Sequence, residues 1–214
     1  MDLLNKKLFV FDFDGTLIDS NKIKKEAYFQ VLEYNQNYIN YLELIMNKKQ
    51  DLDRFKIFQI LSEEFVNLKP DYLTMKYTNI CLKRILKANE IQGAYKFLKF
   101  LNKNKKIIII NSATPKKPLE DIVKHLKFKK YIYEIYGRPS SKEDNFKDAL
   151  KKFNISIKDS IIFGDTENDR KCAEYFDCDF IGIKNELSNF KSIPKYNFSN
   201  YNEILNSMML SNYE

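Results

Sequence analysis

The sequence has few of the residues that thiol, zinc and imidazole chemistry require. Its three cysteines, Cys81, Cys172 and Cys178, are odd in number and form no Cys-x-x-Cys pair. Neither a disulfide framework nor a zinc site is therefore indicated, and a reducing cytoplasm fits this usage best. The single histidine, His125, excludes a mechanism built on several histidines, and we expect it on the surface of a helix over residues 115–127.

Long apolar runs and blocks of like charge are also missing. No apolar run approaches the roughly 18 residues of a membrane span, and Asp12 and Asp14 stand where a signal peptide would need small residues. The formal net charge is +7 with a pI near 9.0, but the lysines are spread thinly along the chain. We therefore expect a soluble cytoplasmic protein with neither membrane nor nucleic acid as partner, whose positive charge suits a small anionic substrate.

With 214 residues, the chain is long enough for one well-buried core and a large insertion. Residues 20–88 carry helical patterns, such as the apolar stripes in segments 23–34 and 55–65 and a helix begun by Pro70. From Gly93 onward, helical and strand patterns alternate, which predicts a parallel sheet with helices on both faces. We predict an α/β fold: a three-layer, Rossmann-like core of residues 1–19 and 89–214, with an inserted helical domain of residues 20–88.

The expected elements of the core follow from short apolar runs and amphipathic segments. Strands are predicted at residues 8–11, 107–111, 131–137, 160–164 and 180–183. Helices are predicted between them, and a last helix covers the segment NYNEILNSMM. The stretch from residue 185 to 202 is expected to be loosely structured.

Polar side chains follow three of the predicted strands. The first strand leads into Asp12 and Asp14, the second into the segment 111–114, and a later one into Asp165 and Asp169. Ligands of open parallel sheets gather beyond the carboxyl ends of the strands. Carboxylate oxygens without nitrogen or sulfur ligands select Mg²⁺, and a site of this kind suits phosphoryl chemistry.

These residues resemble a known family. The segments DFDGT, NSATP, a lysine before a helix, and FGDTEND follow in the order of the four motifs of the haloacid dehalogenase superfamily of phosphohydrolases. The likeness spans residues 8–183 and is closest to the phosphoglycolate phosphatase-like and β-phosphoglucomutase-like members. It implies a Mg²⁺-dependent phosphatase acting through an aspartyl-phosphate.

The resemblance also implies roles for individual residues. Asp12 is expected to be the nucleophile, and Asp14 the general acid and base, with its backbone carbonyl on Mg²⁺. The hydroxyl of Ser112 and the N–H of Ala113 are expected to bind the phosphoryl group. The metal ligands are expected to be Asp12, Asp14, Asp165 and Asp169.

The phosphate-binding cation remains open between two residues. Lys142 begins a predicted helix and offers a compact charge, whereas Arg138 precedes a proline, as the lysine does in many relatives. Alternatives also remain for other polar positions. One alternative is that Asp169 merely interacts favourably with the helix dipole, and another is that Ser112 is a helix N-cap. Glu167 and Asn168 are expected to be capping or solvated.

The helical insert resembles the cap that some relatives carry after the first motif, where it selects the leaving group. The expected substrate is a small phosphomonoester such as a sugar phosphate or phosphoglycolate. A phosphomutase is the enzymatic alternative, because β-phosphoglucomutase-like relatives share this cap. A phosphate-accepting signalling domain without turnover is the alternative of another class, and the oligomeric state is left open.

Overall fold

The computed structural model describes residues 3–48, 52–188 and 190–210. They form two compact units. One comprises the residues up to Asp19 together with those from Asn89 onward, and the other is Ser20–Ala88. None of the helices in the described part of the chain is both long and apolar enough to cross a membrane.

The first unit is built on a sheet of six strands, all paired in parallel, in the order β3-β2-β1-β4-β5-β6. The strands are β1 (Leu8–Phe11), β2 (Ile107–Pro115), β3 (Glu134–Arg138), β4 (Ser160–Gly164), β5 (Asp179–Ile183) and β6 (Asn197–Phe198). This is the Rossmann-type order: β2 and β3 lie on one side of β1, and the chain then crosses to the other side of β1 to form β4, β5 and β6. The predicted α/β fold is confirmed.

Helices cover both faces of this sheet because its central strands are apolar on both sides. In chain order the helices of this unit are α5 (Ala94–Lys103), α6 (Lys116–Val123), α7 (Lys142–Phe153), α8 (Glu167–Tyr175) and α9 (Tyr201–Leu210). On one face, the rings of Phe11 and Phe163 stack with centroids 4.5 Å apart, beside Phe97 of α5 and Tyr201 of α9. On the other face, a cluster that includes Val10 packs against α7 and α8.

The second unit consists of α1 (Asn21–Val31), α2 (Gln36–Lys48), α3 (Arg54–Glu64) and α4 (Pro70–Ile85). Its core contains the rings of Tyr28, Phe58 and Tyr77, whose centroids lie 4.5 to 5.9 Å apart. Pro70 begins α4, where its missing N–H leaves no helical hydrogen bond unmade. Tyr34, expected on the stripe of the first helix, instead follows that helix with a positive φ of 56° and is exposed.

Three expectations for the first unit were wrong in detail. The strand expected at residues 131–137 begins only at Glu134, after a single 3-10 turn over Lys129–Tyr131. The helix expected over residues 115–127 ends at Val123, and His125 lies beyond it, exposed. The stretch expected to be loose contributes β6, which pairs with Gly182 and Ile183 of β5.

Candidate active site

Strand β1 ends in a tight turn that carries Asp12 and Asp14. The N–H of Asp12 still donates to the carbonyl of Phe163 in β4, at 2.8 Å. Gly15 has a φ of 74°, which favours glycine, and its N–H donates to the carbonyl of Ile18 at 2.8 Å. The chain therefore turns back directly after Asp14, and both carboxylates lie near the carboxyl end of β1 with 7% exposure each.

Strand β2 supplies the next polar residues in an alternating pattern. Ser112 and Thr114 are buried, whereas Ala113 is exposed. The Thr114 hydroxyl donates to Oδ2 of Asp14 at 3.0 Å, and the Ser112 hydroxyl oxygen accepts the Thr114 N–H at 3.1 Å. The alternative that Ser112 caps a helix is not met, because β2 continues through this segment and α6 begins only at Lys116.

Helix α7 brings a lysine to the carboxylates. Lys142 is its first residue, and its Nζ donates to Oδ1 of Asp12 at 2.6 Å and also to Oδ1 of Asp169. The start of this helix is held in two ways. Ser141 caps it by accepting the N–H of Asp144, and Asn111 donates from Nδ2 to the Lys142 carbonyl at 2.8 Å. The hydrogen bond from Asn111 thereby ties strand β2 to the start of helix α7.

The other candidate cation, Arg138, is placed differently. It is the last residue of β3, it is half-buried, and it pairs in register with Pro115 of β2. The peptide bond between Arg138 and Pro139 is cis. Of the two candidates, Lys142 is the one whose side chain the structure places against Asp12.

Two further acids follow strand β4. Asp165 is fully buried, and its Oδ1 accepts a hydrogen bond from the Thr16 hydroxyl at 3.2 Å. Asp169 lies in the first turn of α8, where its Oδ2 accepts the N–H of Thr166 at 3.1 Å and the Thr166 hydroxyl at 2.6 Å. Its other oxygen faces Lys142. Asp169 therefore caps the helix and belongs to the acid cluster at once.

Asp12, Asp165 and Asp169 each have one carboxylate oxygen that lies within 4.8 Å of those of the other two. Burial raises the pKa of Asp12; Lys142 opposes this shift, and the neighbouring carboxylates add to it. Burial also disfavours the charged form of Lys142, but Asp12 and Asp169 outweigh it and raise the pKa of the ammonium. One lysine contributes a single positive charge beside three buried carboxyl groups, so the cluster is suited to a further cation.

The donor set suits Mg²⁺. All three groups offer hard carboxylate oxygens, which Mg²⁺ prefers over nitrogen and sulfur. Asp12, Asp165 and Asp169 would hold the ion through their side chains. Asp14 was expected to bind the ion through its backbone carbonyl, and its side chain accepts the hydrogen bond from Thr114.

Glu167 was expected to be capping or solvated, and it is neither. It is 2% exposed, and its two oxygens accept from Nε and Nη2 of Arg170 at 2.8 and 2.6 Å. The same carboxylate accepts the N–H of Lys191 at 3.2 Å. Glu167 thus links α8 to the loop after β5, whereas Asn168 is exposed as expected.

Four residues that were given no role from the sequence contact the site. They are Thr16, Asn111, Thr114 and Asn185. Thr16, Asn111 and Thr114 belong to the quoted motifs, so their position was a signal. Asn185 has no such signal, because it lies 20 residues after Asp165 in the stretch expected to be loose.

Comparison with known proteins agrees with this architecture. The family model described as haloacid dehalogenase-like hydrolase matches residues 9–183. No curated protein matches the sequence. Solved structures with the same fold are similar over nearly the whole chain, at low identity.

Three of these structures illustrate the likeness. A predicted phosphoglycolate phosphatase from Haemophilus somnus has a TM-score of 0.74 at 17% identity, covering 95% of this chain and 98% of its own. A protein from Thermotoga maritima assigned as a β-phosphoglucomutase has a TM-score of 0.71 at 18% identity, with the same coverage. YfnB from Bacillus subtilis, assigned as a hydrolase of this type and bound to magnesium, has a TM-score of 0.71 at 14% identity, again with 95% and 98% covered.

Proposed function

The chain belongs to the haloacid dehalogenase-like hydrolases, and from this premise we propose that it is a Mg²⁺-dependent phosphatase of a small phosphomonoester. The observation that carries the proposal is the contact of Lys142 with Asp12 beside the buried carboxylates of Asp165 and Asp169. These contacts support the proposal because the residues assigned as nucleophile, phosphate-binding cation and metal ligands lie close together. Phosphoryl transfer needs these three parts.

In the first half-reaction, an oxygen of Asp12 attacks phosphorus and the bond from phosphorus to the ester oxygen breaks. The leaving alkoxide takes a proton from Asp14, so an alcohol departs and an aspartyl-phosphate remains. The Thr114 hydroxyl orients the Asp14 carboxyl group by donating to Oδ2. In this proposal, the Ser112 hydroxyl and the backbone N–H of Ala113 bind the phosphoryl oxygens as negative charge redistributes over them, as the family resemblance implies.

In the second half-reaction, water attacks the phosphorus of the aspartyl-phosphate. Asp14, now ionised, accepts the proton of that water, and the bond from phosphorus to the Asp12 oxygen breaks. Inorganic phosphate leaves, Asp12 is regenerated as a carboxylate and Asp14 is protonated again. Lys142 binds phosphoryl oxygens throughout and keeps Asp12 turned toward them.

Magnesium, when bound, supplies positive charge that offsets the carboxylates and the phosphate together. Asp12, Asp165 and Asp169 fit it as side-chain ligands, and the backbone carbonyl of Asp14 is the further ligand that the family resemblance implies. This assignment rests on the all-oxygen donor set and on the burial of the acids. YfnB, which has the same fold, is described as bound to magnesium.

We infer that the helical unit Ser20–Ala88 selects the leaving group. It is inserted directly after the turn that carries Asp12 and Asp14, as the cap is in family members. Its 12 lysines and arginines exceed its 8 aspartates and glutamates, a modest excess that favours an acidic or sugar-phosphate substrate. A screen of phosphorylated metabolites, repeated after substitutions in this unit, tests the assignment. A preference that moves only with substitutions in the core would contradict it.

A phosphomutase is the second candidate, favoured by the fold shared with the Thermotoga maritima protein. The two activities differ in the fate of the phosphoryl group. A phosphatase releases it to water as free phosphate, whereas a mutase returns it to a bound sugar. Free phosphate measured against isomerised sugar phosphate separates the two.

The basic test is release of phosphate from p-nitrophenyl phosphate with and without Mg²⁺. We expect turnover by the wild-type protein with Mg²⁺ and none above background by Asp12→Asn. Asp121→Asn serves as the control, because Asp121 pairs with surface lysines of α6. Absence of turnover in the wild-type protein across the substrate screen, or full activity of Asp12→Asn, would overturn the proposal.

A further inference from the structure

A side chain of the loop that follows β5 forms a hydrogen bond with the acid cluster. Asn185 is half-buried and lies two residues beyond the end of β5. We infer that Asn185 is a positioning residue that holds the carboxylate of Asp165 in the orientation required for Mg²⁺ binding. The inference rests on the proposed function, since Asp165 is a metal ligand only if that proposal holds.

The contacts fix Asp165 from two sides. Nδ2 of Asn185 donates to Oδ2 of Asp165 at 2.9 Å and also lies 3.2 Å from the carbonyl oxygen of Gly15. The other oxygen, Oδ1, accepts the hydroxyl of Thr16 at 3.2 Å. Each carboxylate oxygen therefore has a donor from a different segment of the chain, and these donors oppose rotation of the group. Each oxygen retains lone pairs for a metal ion.

The orientation of the Asn185 amide follows from its own hydrogen bonds. Its Oδ1 accepts the N–H of Leu187 at 2.9 Å, which leaves Nδ2 as the group that faces Asp165. Its backbone N–H donates to the Ser188 hydroxyl oxygen at 2.9 Å, and that hydroxyl donates to the carbonyl of Ile183 at 3.3 Å. These hydrogen bonds make a compact turn directly after β5, and the Asn185 amide extends from this turn to Asp165.

A neutral amide is well suited to this place. Asp165 is 0% exposed and has Asp12 and Asp169 as neighbours. An amide donor stabilises the ionised form of Asp165 without adding an ammonium that would compete with the metal ion for the same oxygens. Partners that orient a metal-ligating carboxylate typically affect metal affinity or activity by about 10- to 100-fold when removed.

The test compares Asn185→Ala with Ser188→Ala. The first removes the donor to Asp165, whereas the second removes a loop hydrogen bond and leaves the Asn185 side chain in place. Asn185→Ser is a third variant that retains an oxygen for the Leu187 N–H but is too short to reach Asp165. Thermal unfolding of the substrate-free protein is followed at increasing concentrations of MgCl₂, which gives the Mg²⁺ affinity from the ligand-dependent rise of Tm.

We expect the apparent Kd for Mg²⁺ to rise about 10-fold or more in Asn185→Ala and Asn185→Ser. We expect it to change less than about threefold in Ser188→Ala, even if all three variants have lower Tm without the metal. In turnover of p-nitrophenyl phosphate, the half-saturating Mg²⁺ concentration should shift by the same factor. The kcat at saturating Mg²⁺ should be largely retained.

Two results would overturn the inference while leaving the proposed function intact. Unchanged Mg²⁺ affinity in both Asn185 variants would show that Asp165 needs no such support, and an equal loss in Ser188→Ala would assign the effect to loop folding. If the wild-type protein shows no rise of Tm with Mg²⁺ and no Mg²⁺-dependent turnover, the metal assignment itself fails. The wild-type titration therefore separates failure of the inference from failure of the proposed function.

Discussion

Nζ of Lys142 lies 2.6 Å from Oδ1 of Asp12, although 130 residues separate the two in the chain. The same ammonium bonds Asp169, so that one lysine joins the end of β1 to the first turn of α8 through the start of α7. With Asp12 as nucleophile, this contact places a cation where the phosphoryl oxygens would lie during attack.

Replacing Lys142 with alanine should lower kcat/KM by about 10²- to 10³-fold, because a preorganised charge on the transferring phosphoryl group is lost. Lys142→Arg should recover little of this, since a guanidinium is larger and planar, whereas the compact ammonium contacts both Asp12 and Asp169. Lys147→Ala, on the exposed side of the same helix, is the matched control and should retain activity. A loss confined to Arg138→Ala, with Lys142→Ala active, would assign phosphate binding to Arg138 instead.

Replacing Asp14 with asparagine should lower kcat for alkyl phosphates by about 10²- to 10⁴-fold, because the leaving alcohol no longer receives a proton. p-Nitrophenolate leaves without protonation, so with that substrate the first half-reaction should continue while hydrolysis of the aspartyl-phosphate slows. Intact mass after acid quench should then show one added phosphoryl group. The double variant with Asp12→Asn should show none, and phosphorylation that persists in it would contradict Asp12 as nucleophile.

Glu167 should contribute stability that depends on pH. Hydrogen bonds from the Arg170 side chain are the main cause that lowers the pKa of Glu167 to about 2, from an ordinary 4.5. A carboxyl group whose pKa is depressed by folding stabilises the protein above its unfolded pKa, and this stabilisation is lost as the pH falls from about 4.5 toward 2. Glu167→Gln should therefore lower the free energy of unfolding by about 2 kcal/mol at pH 7.

Urea unfolding at pH 7, 5, 4 and 3 measures this effect of Glu167. The difference between wild type and Glu167→Gln should be constant above pH 5 and shrink below it. Glu174→Gln is the control on the same arginine: Glu174 is an exposed partner of Arg170, and its replacement should change stability by no more than about 0.5 kcal/mol. A difference for Glu167→Gln that does not shrink in acid would contradict the assigned ion pair.

Gly164 should tolerate no side chain. A Cβ added there would lie 2.2 Å from Cβ of Asp169, a residue that is itself buried and bonded to Lys142 and Thr166. Gly164→Ala should cost about 1–3 kcal/mol of unfolding free energy through overpacking. It should also weaken Mg²⁺-dependent turnover because Asp169 is displaced. Denaturation and the Mg²⁺ dependence of activity measure the two effects, and a fully active, fully stable variant would contradict the packing.

The strands and their polar ends were predictable from the sequence because they are local patterns. Central strands of a parallel sheet are buried on both faces and therefore consist mainly of apolar residues. Two short runs have this pattern, Leu8–Phe11 and Ser160–Gly164. Carboxyl ends of parallel strands meet at one edge, so Asp12 and Asp165 could be expected together. The stretch from residue 185 to 202 was harder to interpret. Its strand, β6, is only two residues long and is defined by its pairing with β5.

Side-chain partners were the less predictable part of the site. Glu167 was expected to be capping or solvated because an acid in the first turn of a helix usually faces water, yet the bonds from Arg170 and the Lys191 backbone stabilise it when buried. Ser112 was a possible helix cap only on the assumption that the strand ended before it. For Glu167, burial depends on the backbone of Lys191, which lies on another segment, as well as on Arg170 of the same helix. For Ser112, the outcome depends on where β2 ends.

The sequence by itself determined the order of the helices and of the first five strands, the family and the identity of the acids, because these depend on residue type and local spacing. Only the tertiary structure decided which cation faces Asp12 and which residue supports Asp165. Lys142 and Arg138 were both compatible with the motif, and Asn185 belonged to no motif. Sheet order brings segments from distant parts of the chain to one edge, and contacts between them arise from that arrangement.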